Sequence, residues 1–165
     1  MNRSEKALII IVLAFLVFGV VGWLATPEDE KGQAILLLPS VKKVEDYRAK
    51  AEGWTEELRL LDGRLAVLMS GNSKSLFSQS QSSQALFEEY VKLTQAINNA
   101  EAPSALNGLK DLLLNTSAAY LDASQSALRW VSTPSEENLT TTKGLINTAQ
   151  DILSDLESNT WIQKR

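Results

Sequence analysis

The sequence contains no cysteine and no histidine. Without cysteine, no disulfide can stabilise the fold, and the acyl anchor of a bacterial lipoprotein has no attachment site. Without histidine, the common nucleophile–base arrangements are unavailable, and zinc and haem lose their usual ligands. These absences argue against an enzyme and predict no bound cofactor.

Basic residues are also in the minority. Of the 16 Lys and Arg and 20 Asp and Glu in the chain, Arg3, Lys6 and Glu5 precede residue 26, which leaves 14 basic against 19 acidic residues in 26–165. An acidic domain without a basic stripe lacks the electrostatic footprint of a nucleic-acid-binding protein. Nucleic acid is therefore excluded as a partner.

One long hydrophobic segment is present near the N-terminus. Residues 7–25, ALIIIVLAFLVFGVVGWLA, carry no charge, and a helix of that length spans about 28 Å, close to the thickness of a bilayer core. Residues 1–6 contain Arg3 and Lys6, whereas positions 28 to 30 are all acidic. The positive-inside rule then predicts a cytoplasmic N-terminus and a single-pass anchor, with the remaining chain extracellular or periplasmic.

A cleaved signal peptide is the alternative interpretation of the same segment. Its apolar region is typically about 7 to 15 residues long and ends at a small-x-small cleavage site. The corresponding positions before Thr26 are Trp23 and Ala25, and the indole of Trp23 is too large for such a site. Trp23 suits the headgroup level of a membrane instead, so retention as an anchor is preferred.

Residues 26–40 are predicted to form a linker, and this linker contains the apolar run AILLL at 34–38. This run either packs on the base of the following domain or lies on the membrane surface beside the anchor. Packing is preferred, because extended apolar runs are usually buried.

Beyond the linker, apolar residues recur at alternating spacings of three and four in four successive segments, as on one face of an amphipathic helix. Short connections between such helices favour antiparallel neighbours. The sequence therefore predicts an all-α fold, in which an N-terminal transmembrane helix precedes an up-down-up-down four-helix bundle over 41–160. The predicted core faces are Val44, Tyr47, Ala51, Trp54, Leu58, Leu61, Leu65 and Leu68; Leu86, Tyr90, Leu93, Ile97 and Ala100; Leu106, Leu109, Leu113, Thr116, Tyr120, Ala123, Ala127 and Trp130; and Leu139, Thr142, Ile146, Ala149, Leu153 and Leu156.

Helix boundaries are predicted from local signals. Gly71 supplies a stop for the first helix, and the second begins near Gln79. The fourth opens with Thr133 as its cap, Pro134 at the first helical position and Glu136 returning a bond to the cap.

The two ends of the bundle carry different candidate contacts. In an up-down-up-down bundle the tail, 161–165, returns to the membrane, where Trp161, Lys164 and Arg165 suit the interface. The alternative is a frayed helix end whose cations favour the local dipole. At the far end Leu76 and Phe77 stand alone in a polar loop over 71–84, either as partner contacts or as a cap on the core.

The core faces contain no acidic residue, which excludes a di-iron bundle. They do contain aromatic residues, and counting along the helices places Trp54 and Tyr90 at similar height, with Tyr120 about one turn above. Trp54, Tyr90 and Tyr120 are therefore a candidate ligand pocket, although an aromatic core is the plainer interpretation.

No motif identifies a reaction. The apolar N-terminal segment and the four amphipathic segments together favour a membrane-anchored, extracytoplasmic helical bundle. Such a bundle is predicted to have a non-catalytic binding, scaffolding or accessory-subunit role, with a protein partner in a membrane complex. The alternative is a small-molecule-binding domain that acts with a partner receptor. In outline the arrangement resembles the extracytoplasmic four-helix domains of bacterial receptors, although no shared motif carries the likeness.

Overall fold

A computed structural model of the protein describes residues 38–70 and 75–162. The described residues from 42 onward belong to one compact unit, and residues 38–41 belong to another. The predicted anchor with Trp23, most of the linker, and Lys164 and Arg165 lie outside the described residues. Among the helices of the described ranges, none is both long and apolar enough to cross a membrane.

Four long helices make up the described chain: α1 is Pro39–Met69, α2 is Leu76–Asn99, α3 is Asn107–Ser132 and α4 is Glu136–Glu157. A single turn of 3-10 helix, Ser104–Leu106, leads into α3. The described residues contain no strand. The predicted all-α class and four-helix bundle are confirmed.

Polar contacts between α1 and α4 define how these two helices run. Arg59 binds Glu157, and three residues further along α1 Asp62 binds Gln150, which lies seven residues earlier on α4. Contacts closer to the C-terminus of α1 therefore involve residues closer to the N-terminus of α4, so α1 and α4 are antiparallel neighbours.

The contacts between α2 and α3 show that these two helices are also antiparallel. Tyr90 stacks on Tyr120, while further along α2 the main-chain oxygen of Asn98 accepts a hydrogen bond from Lys110, earlier on α3. Helices α3 and α4 pack against each other and are joined by only residues 133–135, a connection short enough to force an antiparallel pair.

The buried core follows the predicted faces closely. All 27 predicted positions are buried except Val44, Trp54, Ala100, Trp130 and Leu139, which are half-buried. One continuous cluster of buried apolar side chains connects the four helices. The spacing of apolar residues therefore identified the inward faces, because helical periodicity is a local property of the chain.

Several small hydroxyl residues are also buried, and the apolar pattern did not identify them. Thr55, Ser83, Ser117 and Ser124 are at most 3% exposed. Each donates its hydroxyl to a carbonyl oxygen in the preceding turn of its own helix, at 2.8 to 3.0 Å. Because they are satisfied locally, these residues can occupy the core without a partner on another helix.

The predicted cap of α4 is wrong by two residues. The Ser135 hydroxyl, not that of Thr133, accepts the hydrogen bond from the Asn138 amide, at 3.1 Å. The Thr133 amide instead bonds to the Arg129 carbonyl and ends α3. Helix α2 likewise begins at Leu76 rather than near Gln79, because Ser75 caps it.

Candidate interaction surface

The end of the bundle that contains Met69, Leu76 and the α3–α4 turn is called the distal end. Near it, the ion pair between Arg64 and Glu89 sets the register of α1 against α2. Helix α1 continues five residues beyond Arg64, whereas α2 reaches back thirteen residues from Glu89. At about 1.5 Å per residue, α2 therefore extends about 12 Å past the end of α1.

Large apolar side chains are exposed along α1 and in the first turn of α2. Leu60 and Val67 on α1 are 62% and 68% exposed, and Leu76 and Phe77 on α2 are 71% and 79% exposed. Leu60 and Val67 lie seven residues apart, so they share one outward stripe of α1. The periodic apolar pattern did not identify either residue, because it concerns only the inward faces of the helices. Apolar residues that lie off those faces are the signal in the sequence that could have identified them.

A groove of about 700 Å³ runs between α1 and α2 beside these residues, and we call it the distal groove. Gly63 lies in its wall, and a Cβ atom added there would meet no other atom within 4 Å. The wall is therefore open at Gly63, and a larger side chain there would enter the groove. The lining includes Leu60, Gly63 and Val67 from α1, and Gln81, Ser82 and Ala85 from α2.

Leu76 and Phe77 do not cap the core, since both side chains are mostly exposed. They form the first turn of α2, which the Ser75 hydroxyl caps by accepting from the Ser78 amide at 3.2 Å. The structure thus holds them on a regular helix rather than in a loop. Their role as partner contacts stays a prediction.

Charged side chains border the distal groove. The guanidinium of Arg64, which lines the groove, binds both carboxylate oxygens of Glu89. Glu57 lies two turns before Arg64, and Glu88 adjoins Glu89; both are exposed, and neither forms an ion pair with a described residue. The lining of the groove therefore combines apolar side chains with the polar side chains of Arg64, Gln81 and Ser82.

The aromatic residues of the core separate into two pairs. Tyr90 and Tyr120 stack with ring centroids 5.5 Å apart and planes 6° apart, whereas Trp54 packs edge-on against Tyr47 at 5.9 Å. Trp54 precedes Arg64 by ten residues, so it lies about 15 Å below the level of Tyr90. The predicted equal height of Trp54 and Tyr90 is wrong, and only Tyr90 and Tyr120 of the candidate pocket are brought together.

The hydroxyls of Tyr47, Tyr90 and Tyr120 are buried without a hydrogen-bond partner among the described residues. Burial raises the pKa of all three, because it disfavours the phenolate. The neighbouring Tyr120 and then the Asp62 carboxylate raise the pKa of Tyr90 further. Asp62 also raises the pKa of Tyr120, although their contact lacks the geometry of a hydrogen bond.

Trp161 lies at the other end of the bundle. Its carbonyl accepts a hydrogen bond from Arg48 Nε at 3.0 Å, and the Arg48 guanidinium lies 5.9 Å from the centre of its ring. Trp161 remains 39% exposed. The chain after α4 is thus held on α1, and the predicted membrane contact of Trp161 stays a prediction.

No cluster of acidic, histidine or cysteine side chains in the described ranges is arranged to hold a metal ion. Comparison with known proteins found no family model, no curated protein and no solved structure that matches the chain.

Proposed function

We propose that this protein is a membrane-anchored helical bundle with a non-catalytic binding or accessory role, and that the distal groove is where it meets a partner protein. The observation that carries the proposal is the exposure of Leu60 and Val67, which both line the distal groove. Exposed apolar side chains grouped in this way are typical of protein interaction sites.

The placement at a membrane rests on the sequence. Residues 7–25 have the length and composition of a single transmembrane helix, and the basic residues before it favour a cytoplasmic N-terminus. The bundle then lies outside the membrane, extracellular or periplasmic, with its distal end available to another component of a membrane complex.

Site-specific photo-crosslinking in the native cells tests the proposal. Benzoylphenylalanine replaces Leu60, Val67 or Phe77 in turn, and adducts are separated by mass. We expect the same adduct from Leu60 and Val67, since both line the distal groove, and Phe77 reports whether the contact extends to the start of α2. Ala118 and Gln125, which are exposed on α3, are the control positions.

The proposal also requires that the adduct depend on the groove. Adding Gly63→Gln, which places a side chain in open space, is expected to abolish it, and Gly53→Gln on the same helix is expected to leave it unchanged. An adduct that appears equally from the α3 positions, or that survives Gly63→Gln, would refute the groove as the binding surface.

A second candidate function is suggested by the Tyr90–Tyr120 pair. Two buried hydroxyls without a partner would gain hydrogen bonds from a small polar-aromatic molecule that entered between α2 and α3. Such a ligand would raise the unfolding temperature by mass action. A library of aromatic compounds that shifts the wild type but not the Tyr90→Phe, Tyr120→Phe variant would support this alternative.

A further inference from the structure

We propose that Asn107 is a site of spontaneous deamidation, in which the main-chain nitrogen of Gly108 attacks the side-chain amide of Asn107. Of the asparagines in the sequence, only Asn107 is followed by glycine. The pair lies where the 3-10 turn meets α3, and both residues are exposed. The side-chain amide of Asn107 has no hydrogen-bond partner among the described residues, so it is free to react. This modification is independent of the proposed function.

The reaction consumes only water. The Gly108 nitrogen loses its proton and forms a bond to Cγ of Asn107, while the bond from Cγ to the side-chain nitrogen breaks and that nitrogen leaves as ammonia. A five-membered succinimide ring remains. Water then opens the ring, at Cγ to give aspartate or at the main-chain carbonyl to give isoaspartate. Glycine favours ring closure because it has no Cβ to obstruct the approach of its nitrogen.

The position at the start of α3 permits ring closure. Asn107 has a helical backbone, with ψ of −42°, and the peptide plane between Asn107 and Gly108 must rotate before the nitrogen can reach Cγ. Inside a helix this rotation breaks hydrogen bonds on both sides of the plane. The first N–H groups of a helix have no acceptor within it, and Gly108 can take up the compensating change in φ. Helix ends also open more readily than helix interiors.

The pair Asp62–Gly63 is an internal comparison, because Asp-Gly forms the same ring by losing water. Asp62 lies in the middle of α1, however, and its carboxylate oxygens both accept hydrogen bonds from Gln150. Helical bonds on both sides and the contact with Gln150 oppose ring closure. We therefore expect Asp62 to stay unmodified in the folded protein.

The two products have opposite effects on α3. Its first turn contains no acidic residue, and Leu106 supplies no side-chain cap. An aspartate at this position places a negative charge where the helix dipole favours it, so Asn107→Asp should raise the Tm by about 1 to 4 °C. Isoaspartate adds an atom to the main chain between Leu106 and Leu109, both of which are buried, and should lower the Tm.

Timed incubation tests the proposal. The full chain in phosphatidylcholine nanodiscs is kept at mildly alkaline pH and sampled by peptide mass spectrometry, with fragment ions that assign each mass increase to one asparagine. Isoaspartate is detected by enzymatic methylation. We expect Asn107 to react about tenfold or more faster than any other asparagine, since opening the first turn costs less than opening a helix interior. The rate should rise with pH, because the attacking nitrogen must lose its proton.

Matched glycine variants identify the attacking group. Gly108→Ala is expected to slow the reaction at Asn107 about tenfold or more, because the alanine lacks the freedom and open approach of glycine. Gly53→Ala is the control and should leave the rate unchanged. A Cβ atom at either position would meet no other atom within 4 Å, so both variants keep the fold. Parallel incubations in urea give the rate for the unfolded chain.

Each contrary outcome overturns the proposal. Reaction of Asn107 in urea alone would show that α3 protects the pair in the folded protein. A rate at Asn107 no greater than at the other asparagines, or one that Gly108→Ala leaves unchanged, would exclude the attack by Gly108. Isoaspartate at Asp62 in the folded chain, formed as fast as at Asn107, would refute the role of the helix start.

Discussion

The side-chain amide of Gln150 donates to both carboxylate oxygens of Asp62, at 3.0 and 3.2 Å. The two side chains are half-buried, and they connect α4 to α1 next to the Tyr90–Tyr120 pair. Hydrogen bonds to a charged group in such a setting contribute more to stability than those on an open surface. The contact therefore helps to set the register of α1 within the bundle.

Replacing Gln150 with Leu is expected to lower the free energy of unfolding by about 1 to 3 kcal/mol, because the Asp62 carboxylate loses both hydrogen bonds that the Gln150 amide donates. Urea unfolding followed by circular dichroism measures the change. Gln125→Leu, at an exposed position on α3, should change stability by less than about 0.5 kcal/mol. A double-mutant cycle with Asp62→Leu should give a coupling of about 1 kcal/mol, and additive effects would contradict a direct interaction.

Replacing Tyr90 with Phe is expected to raise the free energy of unfolding by about 1 kcal/mol, since it removes a buried hydroxyl that has no partner. Thermal unfolding should show a Tm higher by about 3 to 5 °C. Tyr90→Ala, in contrast, should lose about 3 kcal/mol or more through the cavity it leaves. A Tyr90→Phe variant less stable than the wild type would mean that the hydroxyl is bonded to a water or a ligand.

Stability should decrease above pH 10, because the buried tyrosines bind their protons more tightly in the folded state. Burial raises the pKa of Tyr90 and Tyr120 above the ordinary value of 10.0. Below pH 10 both states are protonated; above it the unfolded chain loses the proton and the folded chain keeps it. Each tyrosine then destabilises the fold by up to about 1.4 kcal/mol per pH unit.

The comparison of wild type with Tyr90→Phe, Tyr120→Phe isolates this effect from other groups that titrate in the same range. Urea unfolding at pH 9, 10 and 11 should show a stability difference that grows with pH above 10 in favour of the double variant. A difference independent of pH would mean that the two phenols titrate normally in the folded protein.

Replacing Ser135 with Ala is expected to lower stability by about 1 kcal/mol, because the Asn138 amide loses its cap. Thr133→Ala is the matched control, since the Thr133 amide that ends α3 is unchanged by the substitution. Chemical unfolding of both variants under identical conditions decides between the two residues. Equal losses, or a larger loss from Thr133→Ala, would argue against Ser135 as the cap.

Residues 7–25 are expected to retain the chain in the membrane. The full-length protein should sediment with membranes after carbonate washing, require detergent for release and have a mass close to 18.1 kDa. External protease should remove a C-terminal tag and spare an N-terminal one. A soluble chain that begins near residue 26 would show instead that the segment is a cleaved signal peptide.

The sequence by itself determined the number of helices in the bundle and the residues of these helices that face inward. Leu58, Leu61, Leu65 and Leu68 repeat at helical spacing, and burial of such a face follows from the hydrophobic effect whichever helices surround it. The sequence signals for the helix ends were less decisive. Thr133 and Ser135 are both acceptable N-caps for α4, and only the packed turn selects between them.

Only the tertiary structure decided the register between helices. Residue counting placed Trp54 beside Tyr90, but the Arg64–Glu89 pair puts them about 15 Å apart and leaves Tyr90 stacked on Tyr120. The same register lets α2 extend past α1, so that Leu76 and Phe77 lie beyond the end of α1 and are exposed. Helical periodicity is local and can be read along one chain, whereas the offset between two helices depends on which side chains meet across them.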